Sequence, residues 1–491
     1  MKPNTFKNTY FNLGQDFYQS INPTPVKNPE LIVYNQALGE QLGLAETPLS
    51  ASAGAAVFAG NQVPEGAQPL AMAYSGHQFG HFNPNLGDGR AILLGQVVKP
   101  GGSSVDIHMK GTGKTAFSRN GDGRAALGPV LREYLVSEAM ASFGVPTTRA
   151  LAAVTTGEEV IREQLLPGGI ITRIADSFVR IGTFEYFMAR RDTVALTRLA
   201  DYVIDQHYPH LNQTDNPYLA LLDTVIEGQA SLIAQWMQFG FIHGVMNTDN
   251  MSITCETIDY GPCAFMDHYA HDKVFSSIDH HGRYAYNNQP NIALWNLSRF
   301  AETLLPLIDR DADAAVEIAT DRLENFIHSY KHHWITGMRA KLGFNTALDD
   351  DSALVEQLFD LMADSRVDFT LTFYQLSMLD REATDDAAML ALFGHAKPLG
   401  QWLDLWRRRL SLEGSDDEAR KAMMREVNPV YIPRNHLIEA AIRAAEDHGD
   451  FSVFHELHKV LQQPCQLQPG REAYMQPPQP HEVVQQTFCG T

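Results

Sequence analysis

The chain has 491 residues, of which 44% are hydrophobic and 20% are charged, and its formal net charge is -20. This composition is typical of a globular protein, and the length allows more than one core-sized unit. Because an acidic chain without a block of lysines or arginines lacks the basic surface that DNA or RNA requires, we expect no nucleic-acid partner.

Targeting and membrane signals do not stand out in the sequence. No apolar run approaches the length of about 18 residues that a membrane-spanning helix needs. The residues that follow Met1 lack the apolar core of a secretory signal. Four cysteines are too few for a disulfide framework in so long a chain. We therefore expect a cytoplasmic protein without a membrane partner.

The first part of the chain predicts an extension followed by a hairpin and a helix. Residues 1–70 contain several prolines and an alanine- and glycine-rich stretch, which predict an irregular N-terminal extension with short helices around Leu31–Leu44. The apolar run Ala91–Val98 predicts a strand, and alternation up to Lys110 predicts its hairpin partner. Apolar residues at helical spacing then predict a helix over Val130–Phe143.

Three more strands are predicted at Ala150–Val154, Val160–Glu163 and Ile170–Ile174. Residues 71–185 therefore predict a small sheet with one helix packed against it. We treat this part as one structural unit.

Residues 186–460 are predicted to be mostly helical. The helix Pro217–Phe239 is clearly marked, because a proline opens it and a glycine follows its end. Other predicted helices are Thr193–Ile204, Leu294–Leu307, Ala314–Lys331, Ala353–Met362, Asp385–Phe393, Gln401–Leu410 and His436–Glu446. The proline-rich residues 461–491 predict an extended C-terminal tail. The order of these predicted strands and helices along the chain predicts an α+β fold.

A short polar stretch after the Pro217 helix carries the strongest chemical signal. Asp249 and Asn250 stand side by side, and Asp259 opens an Asp-Tyr-Gly sequence. Two carboxylates and an amide oxygen at this spacing suit a hard divalent cation and a phosphate chain.

The same stretch departs from the catalytic loop of ordinary kinases. That loop places an aspartate two residues after a histidine and an asparagine five residues later. His243 and Asn250 fit this spacing, but Val245 stands where the aspartate should be. The pattern predicts an altered kinase-like site that keeps the metal-binding part and lacks the usual base.

A lysine on a strand and a glutamate on the next helix form the ion pair that holds nucleotide phosphates in kinase-like folds. Lys110 and Glu133 fit these positions. A single strand lysine is more often a solvated charge. Here the lysine, the glutamate and the downstream acidic residues occur in the right order, and this agreement favours the functional interpretation.

Glycine turns and arginines add candidate phosphate contacts. The turns Gly87–Arg90 and Gly121–Arg124 both read Gly-Asp-Gly-Arg and flank the lysine strand, so their backbone N–H groups could approach phosphate. Arg90 would add charge, although glycine hairpin turns explain both segments as well. Arg173 and Arg180 bracket the exit from the last predicted strand and suit either phosphate binding or surface ion pairs.

Other chemistries fit the sequence less well. The segment Gly111–Thr115 resembles part of a P-loop, but His108 stands where the Walker pattern needs its first glycine. The 19 histidines lack cysteine partners at zinc spacing and form no His-Glu-x-x-His pattern. A nucleophile elbow of the Gly-x-Ser-x-Gly type is also missing, so we expect neither a zinc enzyme nor a serine hydrolase.

Several motifs resemble the selenoprotein O family, also called YdiU, over nearly the whole chain. They are Tyr74–Phe79, Leu86–Ala91, Lys110–Ser118, Gly121–Glu133, His243–Asn250, Asp259–Gly261, Asn287–Pro290, Trp295–Leu297 and Asn428–Asn435. The resemblance implies a protein-kinase-like fold of two lobes: a small N-lobe sheet with one helix, and a larger, mostly helical C-lobe. It also implies that ATP binds in a flipped orientation and that AMP, not the γ-phosphate, moves to protein hydroxyls.

The resemblance assigns roles to particular residues. Asp249 would accept the proton of the substrate hydroxyl, and Asn250 and Asp259 would hold Mg²⁺ or, as a variant, Mn²⁺. Asp259 would also lie near the nucleotide. The nucleotide-binding set would be Gly87, Gly89, Arg90, Lys110, Asp122, Gly123, Arg173 and Arg180, with Glu133 paired to the lysine.

The implied reaction is attack of a Ser, Thr or Tyr hydroxyl on the α-phosphorus of ATP, with pyrophosphate leaving. The family also makes UMP transfer with Mn²⁺ plausible and implies a link to redox or stress response. An ordinary γ-phosphate kinase and a non-catalytic nucleotide-binding scaffold remain alternatives.

One family feature does not transfer to this chain in full. Family members often carry a cysteine near the C-terminus, as Cys489 is here, and some pair it with a cysteine after the Asp-Tyr-Gly sequence. The corresponding residues Lys273–Ser277 contain no cysteine, and Cys263 follows Asp259 too closely. We do not expect this disulfide.

Overall fold

The computed structural model describes residues 6–44, 51–394, 397–414 and 416–487 of the chain. Cys489, the cysteine near the C-terminus for which no disulfide is expected, lies outside these residues. The helices of the described part include none that is both long and apolar enough to cross a membrane.

An antiparallel sheet forms the first part of the molecule. Its strands follow the order β1-β3-β6-β7-β10-β9-β2, and the short β8 joins it beside β10. Two further pairs, β4–β5 and β11–β12, are separate hairpin-like ribbons. The strands are β1 Tyr18–Ser20, β2 Glu30–Tyr34, β3 Leu70–Met72, β4 Gly76–Gln78, β5 His81–Asn83, β6 Ala91–Val98, β7 Ser104–Lys110, β8 Ala125–Ala126, β9 Arg149–Ile161, β10 Leu165–Ala175, β11 Phe241–Ile242 and β12 Ala264–Phe265.

Lys110 lies at the end of the central strand β7. It pairs in register with Ala91 on β6 and with Ile171 on β10. Both neighbouring strands therefore hold the backbone at this lysine, and its side chain leaves the sheet from a fixed position.

The N-terminal extension matches its prediction only in part, because a short helix forms over Gln36–Gln41 but not over the residues before it. Leu31–Tyr34 belongs to strand β2 instead of a helix, and β2 pairs antiparallel with β9 from Glu30 to Tyr34. Ile32 and Val33 are β-branched, and this type of residue suits a pleated surface once a partner strand is present. The extension thus supplies both outer strands of the sheet.

The three strands predicted after the central helix are two long ones. Ala150–Val154 and the start of Val160–Glu163 both belong to β9, which runs without a break to Ile161, and Ile170–Ile174 lies within β10. In the sequence, Gly157 suggests a turn between two strands. In the structure its φ of 66° is accommodated inside β9.

Helices make up most of the remaining chain. The described helices are α1 Gln36–Gln41, α2 Ala51–Phe58, α3 Leu127–Ser142, α4 Ile181–Ala189, α5 Thr193–His207, α6 Pro217–Gln238, α7 Gln289–Ile308, α8 Ala312–Leu342, α9 Asp351–Ser365, α10 Phe369–Leu376, α11 Ala387–Leu392, α12 Lys397–Leu410, α13 Asp417–Val427, α14 Asn435–His448 and α15 Ser452–Leu461. The sequence does not predict α2, α4, α10, α13 or α15. Helices α4 and α10 are short and buried on most sides, so they lack the polar face that makes a helical period visible.

Helix α3 is the centre of the packing. It contacts β9 and β10 on one side and α14 and α15 on the other, and most of its residues are buried. One continuous hydrophobic cluster runs from the sheet through α3 to helices α5, α6 and α7. The fold is therefore α+β, as predicted, with a core that the sheet and the helices share.

Candidate active site

A cavity of about 990 Å³ opens between the sheet and the polar stretch after α6. Its walls come from the turn before β6, the end of β7, the loop after β7, the tip of the β9–β10 hairpin and the residues around Asp249. The structure brings together at this cavity the predicted residues Gly87, Gly89, Arg90, Lys110, Asp122, Gly123, Arg173, Arg180, Asp249, Asn250 and Asp259. Glu133 lies directly behind Lys110.

Lys110 connects the sheet to the downstream acidic stretch. Its Nζ lies 2.8 Å from Glu133 Oε2 on α3 and 2.7 Å from Asp259 Oδ1. Glu133 also accepts a hydrogen bond of 3.1 Å from Arg173 on β10. Burial raises the pKa of Glu133, but Lys110 and Arg173 outweigh it and leave that pKa below its ordinary value, so the carboxylate is ionised.

A second set of buried polar side chains lies behind Arg173. Its Nη2 is 2.9 Å from His108 Nδ1, and His108 Nε2 is 3.1 Å from Asp88 Oδ2. Burial first, and Arg173 in addition, lower the pKa of His108 to about 4. The ring is therefore neutral at pH 7: Nδ1 accepts from Arg173 and the Nε2 proton is donated to Asp88.

His108 and Asp88 are not among the predicted site residues. One signal was present, because residues on one face of a strand alternate, and His108 therefore projects from the same side of β7 as Lys110. The ring also stacks on Phe178, with 4.3 Å between the centroids.

Arg180 is the residue immediately before α4. Its Nη1 donates to the backbone oxygen of Asp249 at 3.3 Å, and its Nη2 lies 3.9 Å from Asp88 Oδ1. The guanidinium packs over the ring of Tyr74 at 4.2 Å from the centroid. The arginine is buried, so it is held by these contacts at the inner wall of the cavity.

Asp249 and Asn250 lie on a single 3₁₀ turn, Thr248–Asn250. Asp249 Oδ2 accepts a hydrogen bond of 3.1 Å from Gln78, whereas Oδ1 is buried and has no hydrogen-bond partner. Burial raises the pKa of Asp249 to about 7. Asn250 Nδ2 donates to the backbone oxygen of Val245 at 3.0 Å, which orients its amide.

Asp259 has a left-handed backbone with a φ of 61°, a conformation that aspartate adopts more readily than most residues. Its side chain is 27% exposed. Burial raises its pKa, but Lys110, Arg173 and Arg90 more than offset this effect and hold the pKa far below its usual range. The carboxylate therefore stays ionised at any ordinary pH.

The oxygen donors at the cavity suit Mg²⁺ bound together with phosphate. Asp249, Asn250 and Asp259 supply carboxylate and amide oxygens, and Asp249 Oδ1 is an unsatisfied buried acceptor. In the part of the chain that the structure describes, no group of three His, Cys, Asp or Glu residues could hold a metal ion alone. Mg²⁺ commonly uses one or two protein oxygens and completes its shell with phosphates and water, so these residues fit a metal–nucleotide complex.

The two glycine turns both line the cavity, and each lies against the loop that follows β7. A Cβ on Gly89 would lie 2.8 Å from the backbone oxygen of Phe117, and one on Gly123 would lie 2.2 Å from the backbone of Gly113. Only glycine allows these approaches. Asp122 is fixed from outside by Arg162, with 2.8 Å between Oδ2 and Nη1.

The fold and the cavity define the class of protein. It is an α+β protein with a cavity in which buried lysine and arginine side chains face carboxylates. The sequence model of the family described as protein adenylyltransferase SelO matches residues 2–462. The chain belongs to the SelO family, as its motifs predicted, and is an enzyme of the nucleotidyltransferase class.

Bacterial relatives align with almost the whole chain. The protein nucleotidyltransferase YdiU of Rhizobium etli strain CFN 42 is 56% identical over 486 residues, which are 99% of this chain and 97% of the relative. Proteins of the same name from Rhizobium meliloti strain 1021 and Bradyrhizobium sp. strain BTAi1 are 56% identical over 486 residues, 99% of both chains in each case.

Proposed function

We propose that this chain transfers AMP from ATP to Ser, Thr or Tyr hydroxyls of protein substrates and releases pyrophosphate. The observation that carries the proposal is the 2.7 Å contact between Lys110 and Asp259. It joins the ammonium of the central strand to the acidic stretch far along the chain, at the wall of one basic cavity. Family membership supports nucleotidyl transfer in general.

We assign the phosphate chain to the inner wall of the cavity. Lys110, Arg173 and Arg180 are buried cations that already face carboxylates, so they offer fixed charge without a large cost of ordering. Gly87, Gly89 and Arg90 line the neighbouring turn, and Asp122 and Gly123 line the outer loop. Guanidinium groups suit phosphate because their donors match its oxygens in pairs.

Asn250 and Asp259 would hold Mg²⁺, with Mn²⁺ as the variant. When bound, the ion supplies positive charge that offsets the charge developing on the phosphate oxygens. Asp259 suits this role because its carboxylate remains ionised beside Lys110.

Asp249 would act as the general base. The hydroxyl oxygen of the substrate forms a bond to the α-phosphorus, its proton passes to Asp249, and the bond from the α-phosphorus to pyrophosphate breaks. A pKa near neutrality is well matched to this proton transfer. The assignment also accounts for Val245, because the base then comes from the 3₁₀ turn and not from the usual loop position.

The arrangement around the cavity also supports the two-lobed, kinase-like organisation as a proposal. The sheet and α3 form one wall, and the segments that follow α6 form the other. We keep the units 1–70, 71–185, 186–460 and 461–491 as proposed boundaries, with the extension contributing strands to the sheet.

Labelled nucleotides test the proposed reaction. The chain is incubated with Mg²⁺, a nucleotide-depleted bacterial extract and ATP labelled at either the α- or the γ-phosphorus. We expect label on protein from α-labelled ATP only, and none with Asp249→Ala. Label from γ-labelled ATP alone would show an ordinary kinase, and labelled UTP with Mn²⁺ examines UMP transfer in the same assay.

A non-catalytic scaffold predicts a different result. It would bind ATP in a calorimeter but transfer no label under any of these conditions, and the cellular role would survive Asp249→Ala. The AMP-transfer proposal would then be wrong, although the ATP site would stand.

A further inference from the structure

The motif Tyr74–Phe79 has no role in the reaction as described so far. Its backbone passes along the 3₁₀ turn that carries Asp249. The His77 N–H donates to Thr248 Oγ1 at 2.7 Å, and the Phe79 N–H donates to Asn247 Oδ1 at 3.1 Å. Strand β4 is therefore attached to the turn on both sides of Gln78.

Helix α4 also holds the turn in place through Glu185. The Thr248 hydroxyl donates to Glu185 Oε2 on α4 at 2.5 Å, and Glu185 Oε1 lies 2.5 Å from His77 Nδ1. Asn247 Oδ1 also accepts from the Tyr284 hydroxyl at 2.7 Å. Thr248 thus shares Glu185 with His77, and Asn247 shares the Tyr284 hydroxyl with the Phe79 N–H, which fixes the spacing between the two segments.

The contact leaves no free space. A Cβ on Gly76 would lie 2.4 Å from Asp249 Oδ1, and one on Gly182 would lie 2.1 Å from the backbone oxygen of Ser75. The glycines at both places allow the β4 backbone to lie directly against the Asp249 side chain. Because the β4 backbone and the Asp249 side chain are in direct contact, Gln78 is held at a fixed position beside Asp249.

Gln78 contacts the carboxylate itself. Its Nε2 is 3.1 Å from Asp249 Oδ2, and the residue lines the cavity. An ionised carboxylate only accepts hydrogen bonds, so the amide nitrogen must face it. The other oxygen, Oδ1, is buried against Gly76 and has no hydrogen-bond partner.

We propose that Gln78 is the positioning residue for Asp249: it binds Oδ2 while the β4 backbone encloses Oδ1, so that the carboxylate is held in one orientation at the cavity. In ordinary kinase loops the base stands at the place of Val245, so Asp249 needs a separate support here. This inference rests on the proposed role of Asp249 in nucleotidyl transfer. It gives the β4 strand a role in the reaction besides its structural one.

The test compares three variants of the full chain in the α-labelled ATP assay. Gln78→Ala removes the amide, Gln78→Asn keeps an amide on a shorter side chain, and His81→Ala is the control. His81 pairs with Gln78 across the β4–β5 ribbon but is exposed. ATP affinity by calorimetry and the melting temperature are measured for each variant.

We expect Gln78→Ala to lower kcat by about 10- to 100-fold, the effect of one lost hydrogen bond to a charged group. The KM and the affinity for ATP should stay within about threefold, since uniform nucleotide binding is untouched. Gln78→Asn should recover part of the rate, and His81→Ala should match the wild type. A merely structural role would not produce this separation of kcat from KM with partial rescue.

Two results would overturn the inference, and they are distinguishable. An active wild type with an equally active Gln78→Ala, or with a variant that changes only the KM for ATP, would refute the positioning role alone. A wild type that binds ATP but transfers no α-label would refute the proposed function and, with it, this inference.

Discussion

His108 is a neutral ring enclosed between charged groups of opposite sign. It accepts from Arg173 and donates to Asp88, and it is fully buried. A protonated ring could not accept from the guanidinium, so the two hydrogen bonds and the low pKa agree. The ring thereby fixes Arg173 at the inner wall of the cavity.

Removing these hydrogen bonds should weaken nucleotide binding. His108→Phe keeps a ring to stack on Phe178 but cannot bond Arg173 or Asp88, so we expect the dissociation constant of ATP to rise by about tenfold, which is ~1.4 kcal/mol. Calorimetry on the folded variant measures this. His108→Gln, which retains an acceptor and a donor, is the matched control, and equal affinities for Phe and Gln variants would contradict the assignment.

Lys341 is a buried lysine near the C-terminal end of helix α8. Its side chain is 3% exposed, and its Nζ lies 4.5 Å from the ring centre of Phe373. Burial lowers its pKa from 10.5 to about 7. The lysine therefore loses its proton in the folded protein at a pH where the unfolded chain still holds it.

This difference gives a signed pH dependence. Between about pH 7 and 10.5 the unfolded chain binds more protons at Lys341 than the folded chain, so its contribution to the free energy of unfolding rises with pH. Below about pH 7 both states are charged and the full cost of burial applies. The slope is at most about 1.4 kcal/mol per pH unit for one group.

Substitution of Lys341 should remove that slope. We expect Lys341→Met to be more stable than the wild type at pH 7, with the gap narrowing at pH 8 and 9, when urea unfolding is followed at each pH. Lys331→Met, at an exposed position of the same helix, serves as the control and should change little. A gap that stays constant from pH 7 to 9 would show that the folded lysine keeps its proton and would contradict the lowered pKa.

Across the whole molecule, Arg434 joins three distant segments. Its Nη1 lies 2.5 Å from Asp267 and 2.8 Å from Asp368, and its Nε donates to the backbone oxygen of Met475 at 3.1 Å. Asp267 follows the Asp259 stretch, Asp368 precedes α10, and Met475 lies in the C-terminal tail. The fully buried arginine thus fixes the tail and α10 to the segment next to the cavity.

Loss of this arginine should be costly. Arg434→Met leaves two acidic groups without their shared partner, and we expect the free energy of unfolding to fall by about 3–5 kcal/mol. Arg443→Met, which removes a 41% exposed arginine from the same α14 region, should cost less than about 1 kcal/mol. Urea unfolding of both variants measures the difference. Similar losses of unfolding free energy would show that the contacts of Arg434 with Asp267 and Asp368 stabilise the fold no more than an exposed ion pair does.

The sequence by itself determined the local elements and the order of the reactive groups. Ala91–Val98 is a strand with the predicted bounds, and Pro217 opens the long helix α6 that was expected there. Periodicity and end signals act over a few residues, so they can be read without a fold. The motifs also identified the family, and every nucleotide and metal candidate lines the cavity except Glu133, which stands behind Lys110.

Only the tertiary structure decided which distant residues became neighbours. It paired β2 of the extension with β9, placed His108 between Asp88 and Arg173, and set Gln78 against Asp249. These contacts join segments that are far apart in the chain, and they depend on sheet pairing and on the space that a missing Cβ leaves. Short-range sequence patterns do not reveal these contacts, because the hydrogen-bond partner of a buried polar group depends on how distant segments pack and not on its neighbours in sequence.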